Sequence, residues 1–368
     1  PETWMYRSDV NDNPQADQGV LDFLRRRLRL ISPAAEQREL DEVTPYDSQI
    51  DPDPQYLDPR QNQGLVLSPT AIEKLGTCPF AYFMRYVLGI KPPDDLEYDA
   101  TRWLDALQKG TLLHDIFRQF LEELAAKGTP NPQESDRARI IEMAEKAIEQ
   151  YCNEVPPPGE PVYEYERREL LRSAQVFFNM EMAREVAATP KFFEMPFGEP
   201  DSAVIDLGSG RSIRMRGRID RVDELAPHRY QIWDYKTGSS SKYEDHEYLV
   251  RGRQVQHALY AIALEQALQA EDPGAQVEFG GYLFPTEKGE GRRVNRKQDR
   301  RDRLRETLND LFDLVEAGTF VAAEDGYGCL FCDYADACGG AEAAARAKAK
   351  LNAGDSHLEP MRRLQEHE

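Results

Sequence analysis

Hydrophobic positions recur with helical spacing through the first ordered part of the chain. A helix is predicted to start at residues 67–69, where a serine can cap a proline at the first helical position. A second helix starts near Thr111, and two more are predicted at about residues 135–152 and 166–188. The buried face of the second helix consists of Leu112, Leu113, Ile116, Phe117, Phe120, Leu121 and Leu124. His114 lies at the edge of that face.

The hydrophobic period changes to that of β-strands after residue 190. Four short segments of strand-forming residues are separated by glycine-rich or proline-containing turns, and a helix, a strand and a helix follow. The predicted strands are at about 192–197, 203–207, 212–222 and 229–236, and the later elements are a helix at 254–270, a strand at 277–284 and a helix at 302–317. This order indicates an α/β fold, with a mixed sheet flanked by helices.

Composition divides the rest of the sequence. Residues 1–66 are polar, with 13 Asp and Glu against 7 Lys and Arg, and include one helix-like patch at 18–31. We interpret them as an acidic linker or lead-in. Residues 67–340 carry the periodic patterns and form the predicted domain, whereas residues 341–368 form a charged, alanine-rich tail.

The overall charge limits the classes of function. The chain has 46 Lys and Arg against 66 Asp and Glu, so its net charge is 46 − 66 = −20, which excludes a generally basic nucleic-acid coat. No apolar run approaches the roughly 18 residues that span a bilayer, and a secretory signal is not recognisable. We therefore expect a cytoplasmic protein that does not contact membranes. Because the chain opens at Pro1 without a methionine, we also expect a piece of a longer protein.

Positive charge is nevertheless concentrated in two places. Residues 291–305 hold eight basic residues and two acidic ones. Strand alternation also places Arg214, Arg216 and Arg218 on one face together with Asp220. Both places are candidate contacts for DNA phosphates. For the first, a salt-bridged helix surface is an equal alternative.

Two predicted strands carry carboxylates that can face each other. Alternation in residues 230–236 directs Asp234 and Lys236 to the same side. Because neighbouring strands lie about 4.8 Å apart, Asp220 and Asp234 could share a divalent cation if the strands pair in a suitable register. Carboxylates that bind Mg²⁺ beside a lysine are suited to phosphodiester hydrolysis. The alternative is a salt bridge on a solvated hairpin.

Four motifs in this order resemble those of RecB-type nucleases of the PD-(D/E)xK superfamily. They are Gly110-Thr-Leu-Leu-His114, Gly217-Arg-Ile-Asp220, Asp234-Tyr-Lys236-Thr-Gly238 and Gln256-His-Ala-Leu-Tyr260. The resemblance covers about residues 67–339. It implies a restriction-endonuclease-like fold with an added helical region, and hydrolysis of DNA with Mg²⁺ or Mn²⁺.

The resemblance also implies roles for the matching residues. His114, Asp220 and Asp234 would bind the metal together with the carbonyl of Tyr235, and Asp220, Asp234 and Lys236 would be catalytic. Gln256 and Tyr260 would contact DNA, and Arg218, on the arginine face beside Asp220, is a further candidate DNA contact. For Gln256 and Tyr260 the alternative is that they brace the site. Glu194 precedes the first acidic strand, where relatives often carry a glutamate, and its role is left open.

Four of the five cysteines are spaced as one early and three late residues. Cys329, Cys332 and Cys338 follow the pattern C-x2-C-x5-C, and Cys78 lies 251 positions before the first of them. Spacing alone leaves open structural zinc, an iron–sulfur cluster and unliganded thiols. The chain resembles AddB-type nuclease domains, which implies a [4Fe-4S] cluster that clamps the C-terminal segment to the start of the domain. Cys152 fits no pattern.

The sequence contains no G-x-x-x-x-G-K-[ST] motif, so an ATP-driven motor is not predicted in this chain. The resemblance implies an exonuclease domain that works in double-strand-break end resection and recombinational repair. Its partners would be DNA and a helicase subunit or helicase-like domain absent from this chain. The alternatives are a freestanding iron–sulfur exonuclease of the CRISPR-adaptation type, a non-catalytic cluster-bearing DNA-binding module, and a zinc-stabilised protein-interaction domain.

Overall fold

A five-stranded mixed sheet with helices on both faces forms the centre of the structure. The computed structural model describes residues 31–91, 99–129, 131–184, 188–326 and 328–367. The predicted patch at 18–31 lies outside these ranges except for its last residue. Within them, a helix with the length and apolar character needed to cross a membrane is not found.

The elements have the following bounds. The helices are α1 Ile31–Arg38, α2 Pro54–Leu57, α3 Pro69–Thr77, α4 Pro79–Tyr82, α5 Ala106–Ala126, α6 Arg137–Glu154, α7 Glu160–Met182, α8 Gln256–Leu268, α9 Arg301–Glu316, α10 Ala335–Cys338, α11 Gly340–Ala353 and α12 Glu359–Leu364. The strands are β1 Val66–Leu67, β2 Thr189–Phe197, β3 Ala203–Gly208, β4 Arg211–Met215, β5 Gly217–Ala226, β6 Arg229–Tyr235, β7 Gln276–Leu283 and β8 Arg293–Lys297.

The large sheet has the strand order β2-β5-β6-β7-β8. All neighbouring strands in it are antiparallel except β6 and β7, which are parallel and joined through α8. The predicted α/β class is therefore confirmed. Strand β8 was not predicted, because its basic residues suggested a charged surface. In the structure, Val294 and Arg296 alternate with exposed neighbours and are buried.

The segment predicted as one strand at 212–222 is divided between two sheets. Strand β4 pairs with β1 and β3 in a three-stranded sheet, whereas β5 belongs to the large sheet. The break is at Arg216, whose amide donates to the carbonyl of Leu67 at 3.0 Å. A Cβ at the next residue, Gly217, would lie 2.8 Å from the ring of Phe197, so only glycine fits there without a shift. Side chains keep alternating between buried and exposed through the break.

Helix α8 lies between the two sheets. It contacts β3 of the small sheet and β6 and β7 of the large one. This position explains why nine of its residues are buried, including Gln256 and His257 in its first turn. Polar groups buried there need partners within the protein, because water does not reach them.

The opposite face of the large sheet is covered by α5, α6 and α7. Phe117 of α5 stacks on Phe177 of α7 with ring centroids 4.1 Å apart, and Tyr235 of β6 meets both rings edge-on. Ile232 packs in the hydrophobic cluster on the other side of the sheet. The predicted alternation of β6 is therefore confirmed, and Asp234 lies on the side of α8.

An ionic cluster is buried where β5 meets α7. Arg221 is fully buried, with Nη1 2.9 Å from Oε1 of Glu181 and Nε 2.6 Å from Oδ1 of Asp223. Arg184 lies 3.5 Å from Oδ2 of Asp223. Because opposite charges are paired in this cluster, its burial is tolerated. Arg221 directly follows Asp220 and so anchors β5 beside the acidic residues.

Segments on both sides of residues 67–340 pack against the core. Arg60 is buried and forms ion pairs with Asp58 and with Asp313 of α9. Lys350 of α11 forms an ion pair with Asp47 at 3.0 Å. These contacts join the described part of the lead-in to the C-terminal helices.

Protonation of His257 should lower the free energy of unfolding in acid. The ring of His257 is buried against Tyr248 and Gln298. Burial, with a contribution from Arg296, lowers the pKa of His257 to about 3. Its neutral ring therefore stabilises the fold above the unfolded pKa of about 6.5, and this stabilisation is lost as the pH falls towards 3. At pH 5 the loss is about 2 kcal/mol.

Urea unfolding at about pH 7 and pH 5 measures this effect. His257→Asn should be less stable overall but should lose less stability between the two pH values than the parent chain. The exposed His246→Asn serves as the control and should keep the parental difference. Equal pH dependence in His257→Asn and the parent would contradict the assignment.

Candidate active site

Three carboxylates form a row across strands β2, β5 and β6. The pairs that flank Glu194 place it opposite Asp220, and continuation of the β5–β6 register places Asp220 opposite Asp234. Residues directly opposite each other on neighbouring strands share a face of the sheet. The amide of Tyr235 donates to Oδ2 of Asp220 at 2.8 Å. Strands β5 and β6 therefore pair in the register that a cation site shared by Asp220 and Asp234 requires.

His114 approaches this row from α5. Its Nε2 lies 3.2 Å from the carbonyl oxygen of Tyr235, and its Nδ1 lies 3.7 Å from Oδ2 of Asp220. A carbonyl only accepts, so Nε2 carries the hydrogen in this contact. Burial lowers the pKa of His114, which favours the neutral ring. Nδ1 then presents a lone pair towards a carboxylate, an arrangement that a cation between them would stabilise.

Glu194 completes a potential metal site. Ligand atoms of His114, Glu194 and Asp220 lie within 4.8 Å of one another, so these residues could hold a cation. Glu194 has a φ of +47°, a conformation uncommon for residues other than glycine. From the sequence, Glu194 lies where relatives often carry a glutamate and its role is left open; its alignment opposite Asp220 becomes visible only in the strand register. In this structure, Asp234 is engaged by Lys236, and the Tyr235 carbonyl by His114.

Lys236 is held by two oxygen atoms. Its Nζ lies 2.7 Å from Oδ2 of Asp234 and donates to Oε1 of Gln256 at 2.9 Å. Nε2 of Gln256 donates to the hydroxyl of Tyr260 at 2.7 Å. Gln256 and Tyr260 are both buried. Of the two roles considered for them, this geometry favours bracing of Lys236 over direct contact with DNA.

The charges at the site shift the pKa values of its groups. Burial and the charge of Asp234 raise the pKa of Asp220 well above its usual range. Burial disfavours the ammonium of Lys236, but Asp234 outweighs this effect and raises its pKa. Lys236 is therefore a cationic hydrogen-bond donor rather than a base.

Glu73 of α3 lies beside these residues and was not identified from sequence. Its Oε1 accepts from the backbone amide of Gln256 at 2.9 Å. Burial raises the pKa of Glu73 to about 7, while Lys236 and the amide of Gln256 oppose the shift. No local pattern marks Glu73, because its contacts are with residues about 180 positions later.

One side of the site is an open cleft. A cleft of about 470 Å³ opens beside His114 and Lys236 and is lined also by Leu107, Gly110 and Tyr243. It is wide enough to admit part of a polymeric substrate.

The two basic regions have different structures. Arg214, Arg216 and Arg218 are exposed on successive outward positions that lead to Asp220. Arg218 also lies 3.4 Å from Glu194. In residues 291–305, by contrast, Arg296 is buried against Gln254, and most of the other basic side chains form ion pairs. Those pairs include Arg292–Asp245, Arg293–Glu181, Lys297–Asp299, Arg301–Glu265, Arg303–Glu306 and Arg305–Asp302.

Four cysteines are brought together next to the end of α3. The thiol of Cys78 lies close enough to the thiols of Cys332 and Cys338 for their charges to interact. The thiol of Cys329 interacts with the same two thiols. Burial raises the pKa of Cys78, Cys329 and Cys338, and neighbouring thiols add to the shift. Amides of Ala81 and Ala323 donate towards the sulfur of Cys78.

Comparison with known proteins identifies the family of the chain. A model of the PD-(D/E)XK nuclease superfamily matches residues 66–339, a range that contains the acidic row, His114, Lys236 and the four clustered cysteines. The chain therefore belongs to the PD-(D/E)XK nuclease superfamily. The restriction-endonuclease-like fold implied by the resemblance agrees with this membership and with the mixed sheet.

This PD-(D/E)XK nuclease domain is similar to ATP-dependent helicase/deoxyribonuclease subunits of several bacteria. Identity is 30% over 244 residues with the Acetivibrio thermocellus protein, covering 62% of this chain and 20% of the relative. It is 29% over 272 residues with the Limosilactobacillus fermentum protein, with the same coverage, and 29% over 236 residues with the Clostridium botulinum protein, covering 60% and 19%. The chain spans about a fifth of the length of these relatives.

Glu194→Gln should weaken binding of Mn²⁺ to this nuclease domain by about tenfold or more, since one of three grouped donors becomes a poorer ligand. Isothermal titration calorimetry measures the affinity. Glu224→Gln is a matched control, because Glu224 lies near the far end of β5 in an ion pair with Lys191. If both variants bind Mn²⁺ like the parent, Glu194 is not a ligand.

Proposed function

We propose that this chain is the nuclease domain of an AddB-type helicase–nuclease and that it hydrolyses DNA from strand ends with Mg²⁺ or Mn²⁺. The observation that carries the proposal is the row of Glu194, Asp220 and Asp234, with His114 beside Glu194 and Asp220 and with Lys236 paired with Asp234. The superfamily membership supports the reaction class, and the names of the relatives support DNA as the substrate.

The residues of the chain have distinct roles in this proposal. Asp220, Glu194 and Asp234 supply hard oxygen ligands, and His114 contributes Nδ1. A divalent cation bound there lowers the pKa of a water molecule and offsets the charge that develops on the phosphate. Lys236 donates to the attacking oxygen or to a phosphate oxygen. The water oxygen forms a new bond to phosphorus and the bond from phosphorus to the leaving sugar oxygen breaks, while the proton that the water loses passes to solvent and a proton from solvent is taken up by the sugar oxygen.

Phosphate contacts are assigned to the exposed arginines rather than to residues 291–305. Arg214, Arg216 and Arg218 are exposed at alternate positions from the end of β4 to the start of β5. Such a row can follow the backbone of a single DNA strand towards Asp220. Gln256 and Tyr260 act behind the lysine and not on DNA.

The remaining assignments concern the setting of the domain. Residues 67–340 form the nuclease domain, residues 1–66 the lead-in and residues 341–368 the tail. The chain has no nucleotide-binding P-loop motif, so a helicase subunit or helicase-like domain supplies the motor. We assign the protein to end resection and recombinational repair in the cytoplasm on its resemblance to AddB-type nuclease domains, and relatives named helicase/deoxyribonuclease subunits agree with a role on DNA.

The four clustered cysteines are proposed to hold a [4Fe-4S] cluster. The grouping of one early and three late thiols, together with the resemblance to AddB-type nuclease domains, supports an iron–sulfur cluster rather than zinc. When bound, the cluster would join α3 to the C-terminal segment as a structural clamp.

Hydrolysis of end-labelled linear single- and double-stranded DNA tests the function. The parent chain should degrade DNA with Mg²⁺ and not with chelator, and Asp234→Asn should lower the rate about a hundredfold or more, since it loses charge at the metal and at Lys236. Asp302→Asn, an exposed acid on α9, should match the parent. A folded parent chain that binds DNA without cutting it, alone or with a helicase partner, would favour the non-catalytic DNA-binding module.

Metal analysis of anaerobically purified protein tests the clamp. The parent chain should contain about four irons and matching acid-labile sulfide, with little zinc. Cys338→Ser should lower the iron content and the melting temperature, because a ligand is lost. Cys152→Ser is the control and should retain iron, since Cys152 lies on α6 away from the other four. Zinc in place of iron would contradict the cluster.

A further inference from the structure

We propose that Glu73 is a positioning residue for Lys236, acting through the first turn of α8. This inference rests on the proposed nuclease function. Glu73 lies on α3 and does not belong to the acidic row, yet it is joined to Lys236 by a short series of hydrogen bonds.

Glu73 supplies the cap that α8 lacks. Val255 occupies the N-cap position of α8, and its apolar side chain accepts no hydrogen bond. Instead, Oε1 of Glu73 accepts from the amide of Gln256 at 2.9 Å, and the amide of Val255 also bonds to this carboxylate. Since the start of α8 is buried, these amides need a protein partner. A carboxylate is also favoured at the positive end of a helix.

Gln256 transmits the position of this turn to Lys236. Its backbone is held by Glu73, and its side-chain oxygen accepts from Nζ of Lys236 at 2.9 Å. The side-chain nitrogen Nε2 of Gln256 donates to the hydroxyl of Tyr260, and this contact orients the side-chain oxygen towards the lysine. A displacement of the first turn of α8 would therefore move the oxygen that holds Lys236.

The charge of Glu73 acts on the same target. Glu73 attracts the ammonium of Lys236 directly, as Asp234 does. Loss of this carboxylate removes both the cap and part of the field that holds the ammonium. A misplaced lysine slows the chemical step more than substrate binding, because its contacts to the reacting phosphate matter most in the transition state.

Single-turnover cleavage of labelled DNA tests the proposal. Glu73→Ala should lower the rate constant at saturating enzyme about tenfold to a hundredfold, and the enzyme concentration for half-saturation should change by less than about twofold. Glu73→Gln should recover most of the rate, because its amide oxygen still accepts from the backbone. If Glu73→Ala does not fold, Glu73→Asp, which keeps the charge but has a shorter reach, should show the same selective loss.

Glu265→Ala provides the matched control. Glu265 lies in the last turn of the same helix, and its carboxylate accepts from the amide of Val277 at 2.9 Å, far from the site. It should lower the melting temperature about as much as Glu73→Ala while leaving the rate constant at the parental value. Equal rate losses in the two variants, or a parental rate in Glu73→Ala, would overturn the proposal.

Lysine labelling separates this inference from the proposed function. Reductive methylation followed by mass spectrometry should modify Lys236 slowly in the parent and in Glu73→Gln, and several-fold faster in Glu73→Ala. This result in a parent chain that does not cleave DNA would overturn the proposed function and retain the positioning role. An active parent with unchanged Lys236 labelling in Glu73→Ala would overturn the positioning role alone.

Discussion

Repulsion between carboxylates is the constraint around which the site is built. Glu194, Asp220 and Asp234 occupy one cross-strand row, where strands are separated by about 4.8 Å. Burial and the like charge of Asp234 at this separation both oppose ionisation of Asp220 and raise its pKa. Lys236 compensates the charge at one end of the row. Beside Glu194 and Asp220, His114 brings a ring whose lowered pKa favours the neutral form, and Arg218 lies 3.4 Å from Glu194.

A row of this kind persists only because the backbone around it is held firmly. Arg221, next to Asp220, is fixed in a fully buried ionic cluster on the helical side of the sheet. Packing of Tyr235 against Phe117 ties β6 to α5, the helix that carries His114. On the other side, α8 lies between two sheets. The three carboxylates would repel one another in an isolated sheet. Here the ionic cluster around Arg221, helix α5 and helix α8 hold their strands in place.

The sequence predicted the parts of this arrangement that depend on local patterns. Helical and strand periods identified most elements, and four short motifs pointed to His114, Asp220, Asp234 and Lys236. The change of sheet at Arg216 was not predictable, because side-chain alternation continues through it. Likewise, the place of Glu194 follows from strand register, which is a relation between segments. Such pairings are decided by packing and leave no mark in either segment alone.

The cysteines have a consequence for the order in which the molecule is made. Cys78 precedes Cys329 by 251 positions, and the strands and helices of the acidic row lie between them. At translation rates of about 5 to 20 residues per second, the ribosome needs roughly 13 to 50 s to pass from one to the other. During this interval Cys78 has been synthesised but Cys329, Cys332 and Cys338 have not. All eight described strands end before Cys329, so the central sheet can form before the four thiols come together.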